Sequence, residues 1–233
     1  MPEFLYELHT HEKSVSACGR FSPDELAGLY ADLGYAGLCV TDHWFNGNTT
    51  IPADLSWIER VDAFARGWEA VKNAGDRRGL DVFFGFEYSY KGTDFLIFDL
   101  DAAWMKKNPD IISMSTTDFL TKARADGGFV IQAHPYREEF YIDHIRLFPR
   151  CVDAVEVLNM SGSMKEAQYK LAVGYAEAYG LIKTAGSDAH YFDRQELAAI
   201  AARRKASDIS DLVSILRQGD YSIKTVKNKY FRP

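Results

Sequence analysis

Cysteine is scarce in this chain: Cys18, Cys39 and Cys151 are all there are among 233 residues. An odd, widely spaced set does not form a disulfide framework, so a reducing compartment and a cytoplasmic location are expected. Missing too is any uninterrupted apolar run of about 18 residues, so no membrane-spanning helix is expected. The opening stretch MPEFLYELHTH carries acidic residues and no long apolar core, unlike a secretory signal. Positive charge is in deficit, with 27 Lys and Arg against 33 Asp and Glu, a net charge of −6 and a pI near 5.5. That balance disfavours nucleic acid as a bulk ligand. It leaves room for a metal site, because bound ions bring their own charge. No repeat, low-complexity tract or linker divides the sequence. One domain over 1–233 is therefore expected, and a 47% hydrophobic content supplies one sizeable core.

What is present is an alternation. Short apolar runs at 4–8, 37–41, 82–88, 95–100, 129–133, 154–158 and 181–185 read as strands, and amphipathic segments separate most of them. Ser22, Pro23 and Glu25 predict a capped helix that Gly34 stops. Further helices are predicted from Ser56 to Arg78, over STTDFLTKARADGG, from Met164 to Tyr179, and from Ala206 to Gln218 before a final short strand YSIKTV. Alternating strands and helices imply a mostly parallel sheet, open or closed. Only SYKGT separates the third run from the fourth, which is too short for a crossover and predicts a hairpin.

Five of the six histidines directly follow apolar runs. His9 and His11 stand two apart after the first, and residues so spaced on a strand project to one face. Asp42 and His43 follow the second run, Glu87 ends the third, His134 and Arg137 follow the fifth, and Asp188 and His190 follow the seventh. Carboxyl-terminal strand ends form one rim in barrel-like α/β folds, so these segments are expected to converge. Imidazole and carboxylate are the ordinary ligands of zinc, manganese and iron. The donors outnumber what one tetrahedral ion takes, which implies two or three divalent ions, with Glu87 able to bridge two of them. Asp94 opens the returning hairpin strand and so lies beside Glu87, as a ligand or as a turn cap. Asp42 is expected to orient His43 rather than bind metal. Arg137 suits a phosphate oxygen, since guanidinium matches its geometry, and Asn159 is a candidate substrate contact, while Glu156 reads as structural. Arg20, Lys91 and Arg194 are weaker phosphate candidates, and His144 reads as structural. WFNGNTT after His43 is expected to form either a lid with an apolar wall or a plain surface loop.

In that order, HTH, TDH, GFE, AHP, EVLN and GSDAH resemble the polymerase and histidinol phosphatase (PHP) domain, from His9 to His190. The resemblance implies a distorted (β/α)7 barrel with a trinuclear site that hydrolyses phosphate esters. It would give His9, His11, Glu87 and Asp188 to one ion, Glu87, Asp94 and His134 to a second, and His43 and His190 to a third. Two positions depart from the pattern. Cys18 stands where relatives carry His or Asp, as a thiolate ligand or a small buried thiol. Asp94 stands where many carry His, a harder donor that favours manganese or iron over zinc.

The expected function is hydrolysis of a small phosphate monoester, histidinol phosphate among the candidates, by metal-activated water. His43, His190 or Asp42 would protonate the leaving oxygen. No Ser or Cys nucleophile with a base partner is evident. The alternatives are an amidohydrolase-type metal hydrolase and a non-catalytic metal-binding PHP module.

Overall fold

Helix starts follow local chemistry in the computed structural model, which describes residues 3–161 and 165–232. Ser22 and Ser56 each close a reciprocal capping box, with Glu25 before α1 (Pro23–Asp32) and with Glu59 before α2 (Trp57–Asp76). Gly34 takes a positive φ of 82° just past α1, the stop its position predicts. α3 (Ala102–Lys107) and a short 3-10 turn (Pro109–Ser113) precede α4 (Thr116–Ala125), which Ser115 caps. α5 (Glu166–Tyr179) ends at left-handed Gly180, and the predicted start at Met164 falls outside the described residues. α6 (Ile209–Gln218) begins three residues later than Ala206, because Asp208 caps it and the Ala206 amide is tied to the Tyr6 hydroxyl.

All seven predicted runs are strands: β1 (Phe4–Glu7), β2 (Tyr35–Val40), β3 (Asp81–Tyr90), β4 (Thr93–Phe98), β5 (Phe129–Ala133), β6 (Ala154–Asn159) and β7 (Ile182–Gly186). Lys91 and Gly92 form the two-residue β3–β4 turn, both at positive φ, as the hairpin requires. The expected count needs correction. Two further strands, β8 (Glu196–Ala202) and β9 (Tyr221–Lys227), make one mixed nine-stranded sheet in the order β7-β6-β5-β4-β3-β2-β1-β8-β9. Only β9 was legible. ELAAIAA is rich in alanine, a helix former, and its strand state comes from antiparallel pairing with β1 and β9 on its two sides.

The sheet curls until its ends approach: the Ser187 hydroxyl accepts from the Ala198 amide at 2.8 Å, and the Tyr221 hydroxyl donates to the Lys183 carbonyl. The result is a nearly closed barrel. Tyr6, Leu8, Phe98, Ile131 and Ile200 pack inside it with Leu212 and Ile215 of α6. β1, β2 and β3 run parallel to one another, as do β5, β6 and β7, so the segments after these strands meet at one mouth.

Candidate metal centre

Backbone pairing continues past the strands and sets the donors. Thr10 bridges Ala189 and hydrogen-bonds the Thr41 backbone, which fixes His9 and His11 on either side of it. His43 bridges Glu87, whose amide donates to the Asp42 carbonyl. Asp94 pairs in register with Ser89 and Ala133, next to His134. His134 and Asp188 sit at positive φ, 28° and 49°. Such strained backbone at non-glycine residues is held only where surroundings over-determine it, and it concentrates at functional sites.

The resulting cluster is almost dry, with His9 and His11 at 0% exposure and Glu87, Asp188 and His134 at no more than 4%. His9 Nε2 lies 3.2 Å from Glu87 Oε1 and 3.6 Å from Asp188 Oδ1. His11 Nε2 lies 3.5 Å from Glu87 Oε2 and 3.3 Å from Asp188 Oδ1. Two ligands at about 2.1 Å from a tetrahedral ion stand about 3.4 Å apart, the spacing seen here. His9 Nε2, His11 Nε2, His43 Nδ1 and Glu87 Oε2 are buried with no partner in hydrogen-bonding geometry, although His43 Nδ1 and Glu87 Oε2 are only 2.7 Å apart. Buried polar atoms are seldom left so, and a cation would satisfy all of them. Donor atoms group in four overlapping sets: His9, His11, Glu87; His9, His134, Asp188; Glu87, Asp94, His134; and His11, His43, His190. The donor set fits divalent ions.

Electrostatics point the same way. Burial opposes protonation of His9, yet Asp188, Glu156 and Glu87 raise its pKa well above the usual imidazole value. His11 is lowered to about 3 by burial and by its neighbours His190 and His43. Burial works against His43 as well, but Glu87 lifts it to about 11. Burial disfavours ionised Glu87 and Asp188, and the surrounding histidines nevertheless hold both well below the carboxylate range. Ionised carboxylates buried among these rings make a cavity that attracts positive charge, which His9 and His43 answer here by holding a proton and His11 does not.

A second layer fixes the ring nitrogens that face away. The Glu156 carboxylate meets His9 Nδ1 at 3.1 Å through Oε1, and through Oε2 it accepts the His134 amide at 3.0 Å and Asn159 Nδ2 at 2.8 Å. Ser16 Oγ meets His11 Nδ1 at 3.2 Å, accepts the His43 amide at 3.0 Å and donates to Asp42 Oδ1 at 2.6 Å. His190 Nδ1 meets the Asp188 carbonyl at 2.9 Å. Each pairing leaves Nε2 for the cluster, the tautomer that binds metal. Beneath them, buried Glu7 accepts from the amides of His9 and Ser187 and from the hydroxyls of Ser187 and Tyr30, joining the β1 and β7 donor segments. Sequence reading missed Glu7 and Ser16 and took Glu156 as structural without naming the rings and amides it holds; the one signal for Glu7 was an acidic residue two before His9 on a strand that should be buried.

A cup of 380 Å³ opens over the cluster, lined by Cys18, His43, Asp94, Arg137, Asp188 and His190 among others. Arg137 donates to Asp188 Oδ2 at 2.9 Å, so its guanidinium sits at the edge of the donors. The Cys18 thiol is held by His190 and His43; burial pushes its pKa up, but those two rings bring it down to about 6. A loop of the chain thus brings Cys18, read from sequence as either a thiolate ligand or a small buried thiol, beside His43 and His190 in the cup. Three expectations are corrected in detail. Asp42 touches Ser16 and the Glu12 amide, and so bears on the His43 backbone and the His11 ring rather than on the His43 ring. Asn159 supports Glu156 and lines a separate cavity of 550 Å³ that contains none of the clustered donors, so chemistry and not volume selects the cup. Trp44 and Phe45 turn onto Trp57, Phe64 and Phe119, which buries Trp44 and half-buries Phe45; Gly47 and Asn48 reach the cup instead, so the stretch supplies no apolar wall. Arg20, Lys91 and Arg194 are absent from the lining, and His144 pairs with Asp143 on an exposed loop.

No family model and no curated protein matches this chain. Solved structures do. A two-domain protein from Bacteroides vulgatus ATCC 8482, containing a predicted PHP-like metal-dependent phosphoesterase, superposes with a TM-score of 0.70 at 16% identity over 95% of this chain. This chain spans only 64% of that protein's length. PsfC from Pseudomonas syringae PB-5123 gives a TM-score of 0.60 at 18% identity, covering 98% of this chain and 93% of its own. An amidohydrolase from Chromobacterium violaceum, with bound sulfate and no metal, gives 0.51 at 18% identity, covering 79% of this chain and 87% of its own. At such identities the likeness establishes the fold, and it supports the PHP resemblance carried by the motifs. Among the described residues, no helix is long and apolar enough to cross a membrane.

Proposed function

We propose that this PHP-like barrel is a metal-dependent phosphoesterase that hydrolyses a small phosphate monoester. The observation that carries the reading is the overlap of donor sets around Glu87, His9 and His11 with Arg137 moored at their edge by Asp188. Three ions suit the donors: His9, His11, Glu87 and Asp188 for one, Glu87, Asp94 and His134 for the next, His43 and His190 with Cys18 for the last. Bound divalent ions supply Lewis acidity, acidifying water and neutralising phosphate charge.

This chain's own groups supply the rest. Arg137 binds a non-bridging phosphate oxygen, and its bond to Asp188 fixes the angle of approach. With only the first two ions bound, His43 and His190, 15% and 23% exposed at the cup wall, would give a proton to the leaving oxygen instead of holding the third. Glu156 holds the His9 ring and Ser16 the His11 ring, each at Nδ1, while Glu7 holds the backbone of His9 and Ser187 beneath them. Water is the nucleophile.

The amidohydrolase likeness favours a second reading, in which the same donors serve an amide or ring hydrolase. Arg137 separates the two. Elemental analysis is expected to find about two to three divalent ions per chain, with manganese- or zinc-supported turnover of p-nitrophenyl phosphate. Arg137→Ala should raise KM about tenfold with a smaller effect on kcat. An ion-loaded protein without phosphatase activity would sink the proposal, and an unchanged KM would remove Arg137 from the grip.

A further inference from the structure

The sheet keeps one open edge. β9 is its last strand and pairs antiparallel with β8, from Glu196–Lys227 to Ala202–Tyr221. Just beyond the two ends of that ladder, the Asn228 amide donates to the Gln195 carbonyl at 2.8 Å and the Arg203 amide to the Asp220 carbonyl at 3.3 Å. Bonded and unbonded pairs alternate along an antiparallel ladder. Ser222, Lys224 and Val226 therefore turn their N–H and C=O groups to β8, while Tyr221, Ile223, Thr225 and Lys227 turn theirs outward. Among the described residues no hydrogen bond reaches those outward groups.

That edge borders the 550 Å³ cavity. Ile223 and Thr225 line it from β9, Lys165 and Tyr169 from the start of α5, and Leu158 and Met160 from the end of β6. Leu158, Met160 and Ile223 pack against the barrel core with part of their surface left open, and Tyr169 is exposed. A groove with apolar lining, a helix on one side and unpaired backbone donors and acceptors on the other has the form that takes an extended chain. The main chain bonds the edge, and alternate side chains enter the groove. Charge then selects the chain. Lys170 answers Glu166 at 2.7 Å, and Glu3 answers Lys224. Lys165 and Lys227 have no ion-pair partner among the described residues, which leaves the groove positive in a chain of net charge −6. Lysines on an edge oppose pairing with a second copy of the same strand and favour an acidic one.

We propose that the free edge of β9 and the groove beside it dock an extended acidic segment of a partner protein, which joins the sheet as a further strand. Its main chain exchanges hydrogen bonds with Ile223 and Thr225. An alternate apolar side chain enters the groove over Leu158 and Met160, against Tyr169, and its carboxylates meet Lys165 and Lys227. None of the clustered donors lines this groove, so the surface is separate from the cup and independent of the chemistry done there.

Two blocked heptapeptides test this on the full chain, one alternating glutamate with valine and the other lysine with valine. Fluorescence anisotropy gives affinity, and hydrogen exchange of the backbone amides gives place. The acidic peptide should bind and slow exchange at Ile223, Thr225 and Lys227, and the lysine peptide should bind about tenfold more weakly. Thr225→Pro removes an outward N–H and leaves the bonds to β8 in place, as proline on an edge strand does. It should weaken the acidic peptide about tenfold. Lys165→Glu with Lys227→Glu changes only exposed side chains and should weaken it about as much. No binding of the acidic peptide at about 1 mM, equal binding of the lysine peptide, or an affinity within about twofold in both variants overturns the proposal. Self-association in sedimentation, with the same amides protected and no peptide present, overturns it in favour of a second copy of this chain.

Discussion

Glu156→Gln is the sharpest perturbation available, because it changes no volume. Three N–H groups converge on this carboxylate: His9 Nδ1 on Oε1, and the His134 amide and Asn159 Nδ2 on Oε2. An amide has one acceptor oxygen and one donor nitrogen. Its oxygen stays where two donors meet, which puts the NH2 against His9. The ring then has to offer Nδ1 as an acceptor and carry its proton on Nε2, the atom 3.2 Å from Glu87. A ligand nitrogen blocked by a proton should cost about 10- to 100-fold in metal affinity, or about 1.4–2.8 kcal/mol. Competition against a chelator with manganese or zinc measures the affinity, and nitrogen-15 spectra of the histidine ring report the tautomer. An affinity within twofold of the unaltered protein, with the His9 proton still on Nδ1, would refute the assignment of Glu156 as the group that sets His9.

Other outcomes follow from neighbouring contacts. His9→Ala with His11→Ala should abolish hydrolysis and lower bound metal in elemental analysis; normal turnover would falsify the site. Gly186→Ala places a methyl against Glu156 Oε1 and within 2.5 Å of His9 Cβ, so it should destabilise by about 1–3 kcal/mol and reduce metal content together, read by thermal unfolding and metal analysis. Glu7 is fully buried, and burial raises its pKa from 4.5 to about 7 despite the bonds from Ser187, His9 and Tyr30. A raised folded pKa means the protonated form suits the fold: the contribution is whole below the unfolded value and is lost as pH climbs through the folded one. Stability in chelator should therefore fall by about 3 kcal/mol across that window, relative to Glu7→Gln. Equal pH slopes for the two proteins in urea unfolding would count against it.

How far the sequence reaches can be judged residue by residue. Capping boxes at Ser22 and Ser56 are contacts between residues three apart, and they formed as read. The β3–β4 hairpin is likewise local, fixed by Lys91 and Gly92 at the turn. His9 and His11 face one cluster because strand geometry dictates it over two residues, and their rings lie 5.2 Å apart.

Other features belong to the tertiary structure because their partners are far away in the chain. Glu156 reaches His9 across 147 residues, and Glu7 reaches Ser187 across 180. A glutamate in an apolar run carries no mark of which distant ring it will orient. Alanine-rich β8 is a strand only because β1 and β9 flank it, and Trp44 left the mouth because a cluster of aromatics offered its ring more burial than the cup. Tyr141, which lines the cup, shows the same rule at the surface: its place there depends on Gly92 and on the Arg146–Lys91 bond, neither of which its own neighbours specify. Residue type and short spacing determine which chemistry a segment can offer; only the closed sheet decides which offers meet.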